Sequence, residues 1–519
     1  MFLVTAEEMR DIEKEVVEKI GISNGILMEN AGASVSRKIR ERVRKELISS
    51  VIVLSGHGNN GGDGFVIARH LGNSGYNVET WLIGDENRLS QESKTNLYSL
   101  IKCGYKLKVW SDENFDTLKE SMANADVIID SMLGTGINGK LRDPYKAIVE
   151  YANQLDILRV AVDIPTGVNC NNGQVEENAF RAEITITFTL PKVGQLLYPG
   201  AGYVGELLIE DISIPPIIIN KLNLKNNLIT SEMVKNLLPV RSLISHKGTY
   251  GHALLIGGSK NMPGAPALAT KAALSVGAGL ATIAVPKSIQ SLIFDYIPEA
   301  IHIGLPEQSS GNISLDSLEI LSDNINTYSA ISFGMGIGCW DEGEHLLHGI
   351  LDKFENPLLI DADGLNILSN NLNVLNNRKY PTILTPHPGE MTRLIKRSIE
   401  YVQQNRVTVA KDLAINYGIY VVLKGANTII TTPDGEVYIN QTGGPELAKG
   451  GTGDVLSGMI TGYISQKLPI TEAIIIAVYI HGLSGSLVAN SVSNHSVLAS
   501  EVVNNIGPAI YRLISNHVD

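Results

Sequence analysis

Short apolar runs alternate with amphipathic stretches through both halves of this chain. In the first half the runs fall at 51–54, 78–83, 127–130, 159–163, 184–188 and 206–209, and stretches such as 91–103 and 145–154 lie between them with helical spacing. Strand–helix alternation of this kind predicts βαβ units and a parallel sheet covered on both faces. Ahead of the first run, Met9, Ile12, Val16 and Ile20 sit near helical spacing, so 6–40 reads as two helices packed on that sheet or on a second subunit. The alternation stops at Ile214, Pro215 and Pro216, and a polar Asn/Lys-rich stretch to Asn227 follows, the pattern of a linker. From Leu228 it resumes, with strands predicted at 253–256, 281–285, 330–333, 357–361, 382–385, 420–423 and 428–432. The last of these, then Pro433, Asp434 and Gly435, then 436–440, has the turn chemistry of a β-hairpin.

Composition narrows the class. A chain of 519 residues is too long for one ordinary core, and two domains are the default. With 44% hydrophobic and 18% charged residues it reads as folded rather than disordered. The net charge of −12 and the absence of a Lys/Arg-rich run argue against nucleic acid as a partner. Cys103, Cys170 and Cys339 lie far apart with no CxxC, which fits buried thiols in a reducing compartment. The first nineteen residues lack a signal-peptide core, and the longest apolar candidate, 473–480, is too short for a membrane helix, so the expected location is cytoplasmic, with no membrane partner.

Polar residues just after predicted strands are the ones to weigh, because ligands of parallel α/β sheets bind outside the carboxyl ends of the strands. In the first half four such places stand out: GHGNNGGDG at 56–64, DSMLGTG at 130–136, DIPTG at 163–167, and Pro191–Lys192. A strand ending in a glycine-rich turn that opens a helix presents N–H groups and a positive dipole end, suited to nucleotide phosphates. Glycine there permits close approach and, in some turns, a positive φ. Any one strand-end aspartate could merely cap a helix. Three Asp/Gly/Thr turns at one edge favour a single site.

In that order these four motifs resemble the N-terminal domain of the YjeF family, the NAD(P)H-hydrate epimerases, over about residues 1–220. The resemblance implies that Asn59, Asn60, Gly61, Gly62 and Asp63, with Gly134, Thr135, Gly136, Ile137, Asn138, Gly139 and Lys140, bind the hydrated nicotinamide nucleotide. It implies that Asp163 contacts the substrate, and that Asn60, Asp130 and Thr166 surround a potassium ion. The implied reaction interconverts the R and S forms of NADHX, in which water has added at C6 of the reduced ring. Inverting that carbon needs loss and return of the hydroxyl, with Asp163 as the acid/base group and Lys192 assisting.

In the second half the recurring segments are KGTYGH ending at His252, GGS with MPGA, GMGIG at 334–338, DADGLN at 361–366, TPHPGE at 385–390 and GGTGD at 450–454. The last opens an apolar helix with three glycines, a threonine and an acid in its first turn, an anion-receiving arrangement. A Gly-Gly-Thr-Gly-Asp helix start resembles the ribokinase-like superfamily, and the full set resembles its NAD(P)HX dehydratase branch over about residues 228–519. This implies that Ala265, Gly336, His387 and Asp454 line the hydrate pocket. It further implies that Lys424, Gly425, Ala426, Asn427 and Thr428, with Gly450, Gly451, Thr452 and Gly453, bind ADP. Asp454 would take the C6 hydroxyl proton while the hydroxyl is phosphorylated, with Mg²⁺ and ADP as the donor. One departure is Glu446, an acid placed just before the glycine loop.

The two resemblances imply an α/β chain of two domains, an N-terminal Rossmann-like parallel three-layer sandwich and a C-terminal ribokinase-like α/β/α domain. Its substrates would be the small molecules NADHX or NADPHX and ADP, and a homo-oligomer is expected. An alternative makes the second domain a small-alcohol kinase and the first a non-catalytic nucleotide-binding scaffold, which fold alone would allow.

Overall fold

The computed structural model describes residues 1–42, 50–137 and 139–515, in two compact units, Met1–Asn226 and Asn227–Asp519. The first unit is built on a seven-stranded sheet in the order Leu107–Val109, Asn77–Leu82, Ser50–Ser55, Val127–Ser131, Leu158–Val162, Ile184–Phe188 and Glu206–Glu210. All six pairings are parallel. Successive residues of its central strands enter opposite cores: Val51, Val53, Val127 and Ile129 pack on one face, and Ile52, Leu54 and Ile128 on the other. The first face is covered by helices Ala6–Glu15, Asn24–Arg42, Asn59–Asn73 and Gln91–Lys102, the second by Phe115–Ala123 and Tyr145–Ala152. A sheet buried on both sides in this way is a three-layer sandwich.

Leu107–Val109 had no signal in the sequence because it is a three-residue edge strand, part exposed and without an apolar run. The stretch read as a linker is packed instead. Pro216–Ile219 is a short helix, and Ile214, Ile218 and Leu224 are buried in the first unit's core. Its prolines start a helix, where the missing N–H costs nothing.

The second unit's sheet runs Ile301–Leu305, Leu280–Pro286, His252–Ile256, Ala330–Phe333, Leu358–Ile360, Thr382–Leu384 and Tyr420–Leu423, all parallel, and then the antiparallel strands Thr428–Thr431 and Val437–Asn440. Ile301–Leu305 is one strand the apolar pattern did not reveal, its Gly304 and His302 breaking the run. Helix Thr452–Ser465 is almost wholly buried and packs on Gly264–Ser275, where Gly458 allows contact so close that a Cβ would sit 2.0 Å from the Ala269 carbonyl oxygen. The apolar run at 473–480 lies inside a longer helix, Ile470–Val492. By length and composition this helix could cross a membrane, but 67% of its most apolar window is buried inside the unit. That places it as a core helix.

Candidate active sites

In the first unit the strand order reverses between Ser50–Ser55 and Val127–Ser131, the switch point where α/β sheets open a crevice. The loops after these two strands carry the two glycine-rich motifs. Helix Asn59–Asn73 starts within the first motif, and its N-cap, Gly58, has no side chain to cap it. Asn59 and Asn60 therefore open, with His57 and the second loop from Met132 to Ile137, onto a cavity of about 530 Å³ that Lys140, Arg142 and Tyr145 close on the far side. None of the five glycines from Gly56 to Gly64 has a positive φ. Four of them are required by packing, Gly58 being the exception with open space beside it: a Cβ on Gly61 would lie 1.8 Å from the Gly56 carbonyl oxygen, and one on Gly56 would lie 1.8 Å from that of Met132.

Beneath this cavity Asp130 ends its strand fully buried and accepts hydrogen bonds from the Thr166 N–H and hydroxyl, both at 2.8 Å, and from the Met132 N–H at 3.1 Å. Burial raises its carboxyl to about 6 in spite of these donors. Asn60 donates to the Leu133 carbonyl at 3.3 Å, and its own amide oxygen is buried with no hydrogen-bond partner. An orphaned buried oxygen beside a carboxylate, a hydroxyl and a carbonyl is the donor set a hard cation takes. The residues present fit a potassium ion.

Asp163 follows the next strand in a left-handed conformation, φ 63°, that strains any side chain and aims this one at the strand edge. Its carboxylate pairs with Lys192, which is 1% exposed, and accepts from Thr187 at 2.9 Å; Lys192 also donates to Thr187 at 2.7 Å. Gln195 locks the pair, donating to the Asp163 carbonyl at 2.6 Å and accepting from the Lys192 N–H at 2.7 Å. Asp63 and Glu13 face this pair. Burial, then the Asp163 charge, lifts both carboxyls above their usual range, and Lys192 draws them part of the way back. Glu13 had no signal in the sequence, being one of several acids on an amphipathic helix.

Of the predicted residues, Asn59, Asn60, Gly134, Thr135, Gly136, Ile137 and Lys140 line the cavity, while Asp63, Asp163 and Lys192 are not among its lining residues and are coupled electrostatically to one another. Gly61 and Gly62 are buried in the helix's first turn. Gly139 lies in the second loop with φ 85°, and Asn138 falls outside the described residues.

In the second unit Asp361 ends strand Leu358–Ile360, and Asp454 stands in the first turn of helix Thr452–Ser465, whose N-cap Gly451 takes φ 93°. Burial, then the Asp361 charge, raises the Asp454 carboxyl to about 7, while Lys424 opposes the rise. Lys424 pairs with Asp361 at 2.7 Å and lies 3.9 Å from Glu390. His387 caps helix Pro388–Ile395, its Nδ1 accepting from the Gly389 N–H at 2.9 Å, and Glu390 reaches back to the His387 N–H at 2.7 Å. Burial and the Lys424 charge keep His387 below its usual pKa, so the half-exposed ring stays neutral near pH 7.

Ala265 meets Gly336, since a Cβ on that glycine would lie 3.0 Å from the alanine's. Gly453 borders Lys424 in the same sense, at 3.5 Å from its ammonium. The Gly425 and Asn427 backbones adopt positive φ, and buried Arg406 holds the turn by donating to the Asn427 carbonyl at 3.3 Å. Thr452 uses its hydroxyl to close its own loop onto the Leu447 and Lys449 carbonyls, both at 2.8 Å. Glu446 is buried and accepts from the Gly444 N–H at 2.8 Å and from Ser486 at 3.2 Å. It braces the loop rather than facing a ligand.

A family model described as YjeF-related protein N-terminus matches residues 24–194, and one described as NAD(P)H-hydrate dehydratase matches residues 253–507. A bifunctional NAD(P)H-hydrate repair enzyme of Thermofilum pendens is 38% identical over 513 residues, 99% of this chain and 97% of that protein. One from Moorella thermoacetica is 34% identical over 521 residues, covering 100% and 98%. Among solved structures, a ribokinase-like superfamily protein of Enterococcus faecalis matches with TM-score 0.50 at 26% identity, over 56% of this chain and 96% of that one.

Proposed function

The chain belongs to the family of bifunctional NAD(P)H-hydrate repair enzymes, and from that premise we propose how its two units divide the chemistry. The first unit epimerises NAD(P)HX and the second dehydrates the S form. Damage gives both epimers at C6, and only one is dehydrated, so the pair completes a repair that either alone would leave partial.

In the first unit the cavity between the glycine loop and the Met132–Arg142 segment takes the nucleotide, its phosphates toward the uncapped helix start at Gly58. Asn60, Asp130 and Thr166 would hold potassium, which supplies fixed positive charge next to the substrate's anionic groups. The Asp163–Lys192 pair handles the proton as the hydroxyl leaves C6 and water returns on the other face. Asp163 has the strained, locked geometry of a positioned group.

In the second unit Asp454 takes the C6 hydroxyl proton as that oxygen bonds to the terminal phosphorus of ADP and the bond to the AMP oxygen breaks. The ring nitrogen then expels phosphate from C6, a proton leaves C5, and the dihydronicotinamide is restored. Mg²⁺ is proposed to arrive with the nucleotide phosphates. The glycine N–H groups of the helix start receive phosphoryl charge, and Lys424 stands beside Gly453 to add its own.

The observation that carries this reading is Asp454 itself: a carboxyl in the first turn of a helix whose N-cap has no side chain, beside Lys424, raised by burial to about 7 and so poised to accept a proton near neutral pH. It is tested by incubating S-NADHX with the full chain and ADP or ATP, following the return of dihydronicotinamide absorbance. Nucleotide-dependent recovery is expected, with AMP and phosphate released from ADP. Phosphorylation of a small alcohol with no recovery from NADHX would favour the kinase alternative.

A further inference from the structure

We infer that Asp361 is a positioning residue of the second site, clamping Lys424 against the helix that carries Asp454 so that the lysine and the base move as one body. The inference rests on the reading of Asp454 as the base and adds a residue that this reading does not need. Asp361 is 1% exposed and divides its two oxygens: one accepts from the Lys424 ammonium at 2.7 Å, the other from the Ser457 hydroxyl at 2.6 Å. Ser457 is three residues beyond Asp454 and shares its helix face. One carboxylate therefore ties the strand end after Tyr420–Leu423, where Lys424 sits, to helix Thr452–Ser465.

The surroundings fit a clamp. The Lys424 N–H donates to the Pro386 carbonyl at 2.9 Å, fixing its backbone to the turn that holds His387. Glu390 already caps that turn and lies 3.9 Å from the ammonium, an ion pair too long to be a hydrogen bond such as Asp361 makes. Gly453 stands beside the ammonium, where a Cβ would reach it at 3.5 Å, in van der Waals contact. With the clamp in place the lysine's direction is fixed before a phosphoryl group arrives, which is preorganisation rather than attraction alone.

The clamp also has an electrostatic reading that a purely structural role lacks. Asp361 is the strongest like charge acting on Asp454, ahead of Asp363, while Lys424 acts in the opposite sense; Glu390, Arg393, His387 and His481 are the other titratable or charged groups around the network, with burial keeping both imidazoles below their usual pKa. Removing the Asp361 charge therefore lowers the Asp454 pKa, and the base form survives to lower pH. Removing Ser457's hydroxyl cuts the tie but leaves every charge in place.

The test compares the full chain with its D361N and S457A variants, measuring kcat/KM for S-NADHX with ADP against pH, with circular dichroism as a check on folding. In D361N the acidic limb is expected to move to lower pH by about one unit, and turnover at its optimum to fall roughly 10²-fold. In S457A turnover is expected to fall several-fold with the limb unmoved. A folded D361N whose limb stays in place, or an S457A with parental turnover, would overturn the inference; the second outcome is available even if D361N does not fold. An unsubstituted chain with no nucleotide-dependent turnover would overturn the proposed function and the inference with it.

Discussion

Replacing Asp454 with asparagine should make the second unit more stable and nearly inactive at once. The carboxyl is held at about 7 against an ordinary 3.8, a difference of about 3, which at 1.36 kcal/mol per pKa unit amounts to about 4 kcal/mol. Because the folded pKa is the higher one, the native state binds the proton more tightly than the unfolded state. Stability contributed by that proton is present below pH 3.8, declines as pH rises, and is gone above about 7. Asparagine carries no such loss. The variant should match the parent near pH 4 and exceed it by about 2–4 kcal/mol at pH 8, the lower figure allowing for water reaching a part-buried group. Loss of the base should cost roughly 10²–10⁴ in turnover, with ADP affinity little changed. Chemical denaturation at the two pH values, with turnover and calorimetric ADP binding alongside, reads all three quantities. A variant no more stable than the parent at pH 8, or one that keeps parental turnover, would refute the reasoning that Asp454 is a strained base.

Three further outcomes follow from the first unit. Asp163→Asn strands the 1%-exposed Lys192 without its counter-ion, so the unit should lose about 3–5 kcal/mol in denaturation and epimer exchange should fall at least about 10²-fold, while S-NADHX is still dehydrated. Asn60→Ala removes the orphaned oxygen, and the rise in melting temperature and epimerase rate on exchanging sodium for potassium should disappear; an undiminished potassium response would exclude this residue as a ligand. Gly61→Ala drives a methyl to 1.8 Å from the Gly56 carbonyl, and a loss of at least about 2 kcal/mol is expected, measurable in the same denaturation experiment.

The sheets were legible in the sequence because buried parallel strands are apolar at nearly every position, and the strands that escaped are those without such a run. Leu107–Val109 is short and part exposed, and Ile301–Leu305 is broken by Gly304. The supposed linker misled because prolines signal both a break and a helix start, and only the burial of Ile214 and Ile218 tells which. At the sites, residue types at strand ends pointed to Asp130 and Asp163, and a glycine-rich helix start pointed to Asp454. What they could not supply was partnership. That Gln195 locks the Asp163–Lys192 pair, that Glu13 faces it, and that Asp361 is shared by Lys424 and Ser457 are contacts between residues far apart in the chain. Of the two reasons for glycine in the first loop, only close approach applies: Gly56, Gly61, Gly62 and Gly64 serve tight packing, and none of the loop's glycines needs a positive φ.

The central claim, that one unit interconverts the epimers and the other dehydrates only the S form, is tested most directly with purified R-NADHX and ADP. The unsubstituted chain should return all of it to the dihydronicotinamide form. D163N and D454N should each fail alone, and an equimolar mixture of the two should recover the reaction. Rapid recovery of R-NADHX by D163N alone, or no recovery by the mixture, would contradict the account.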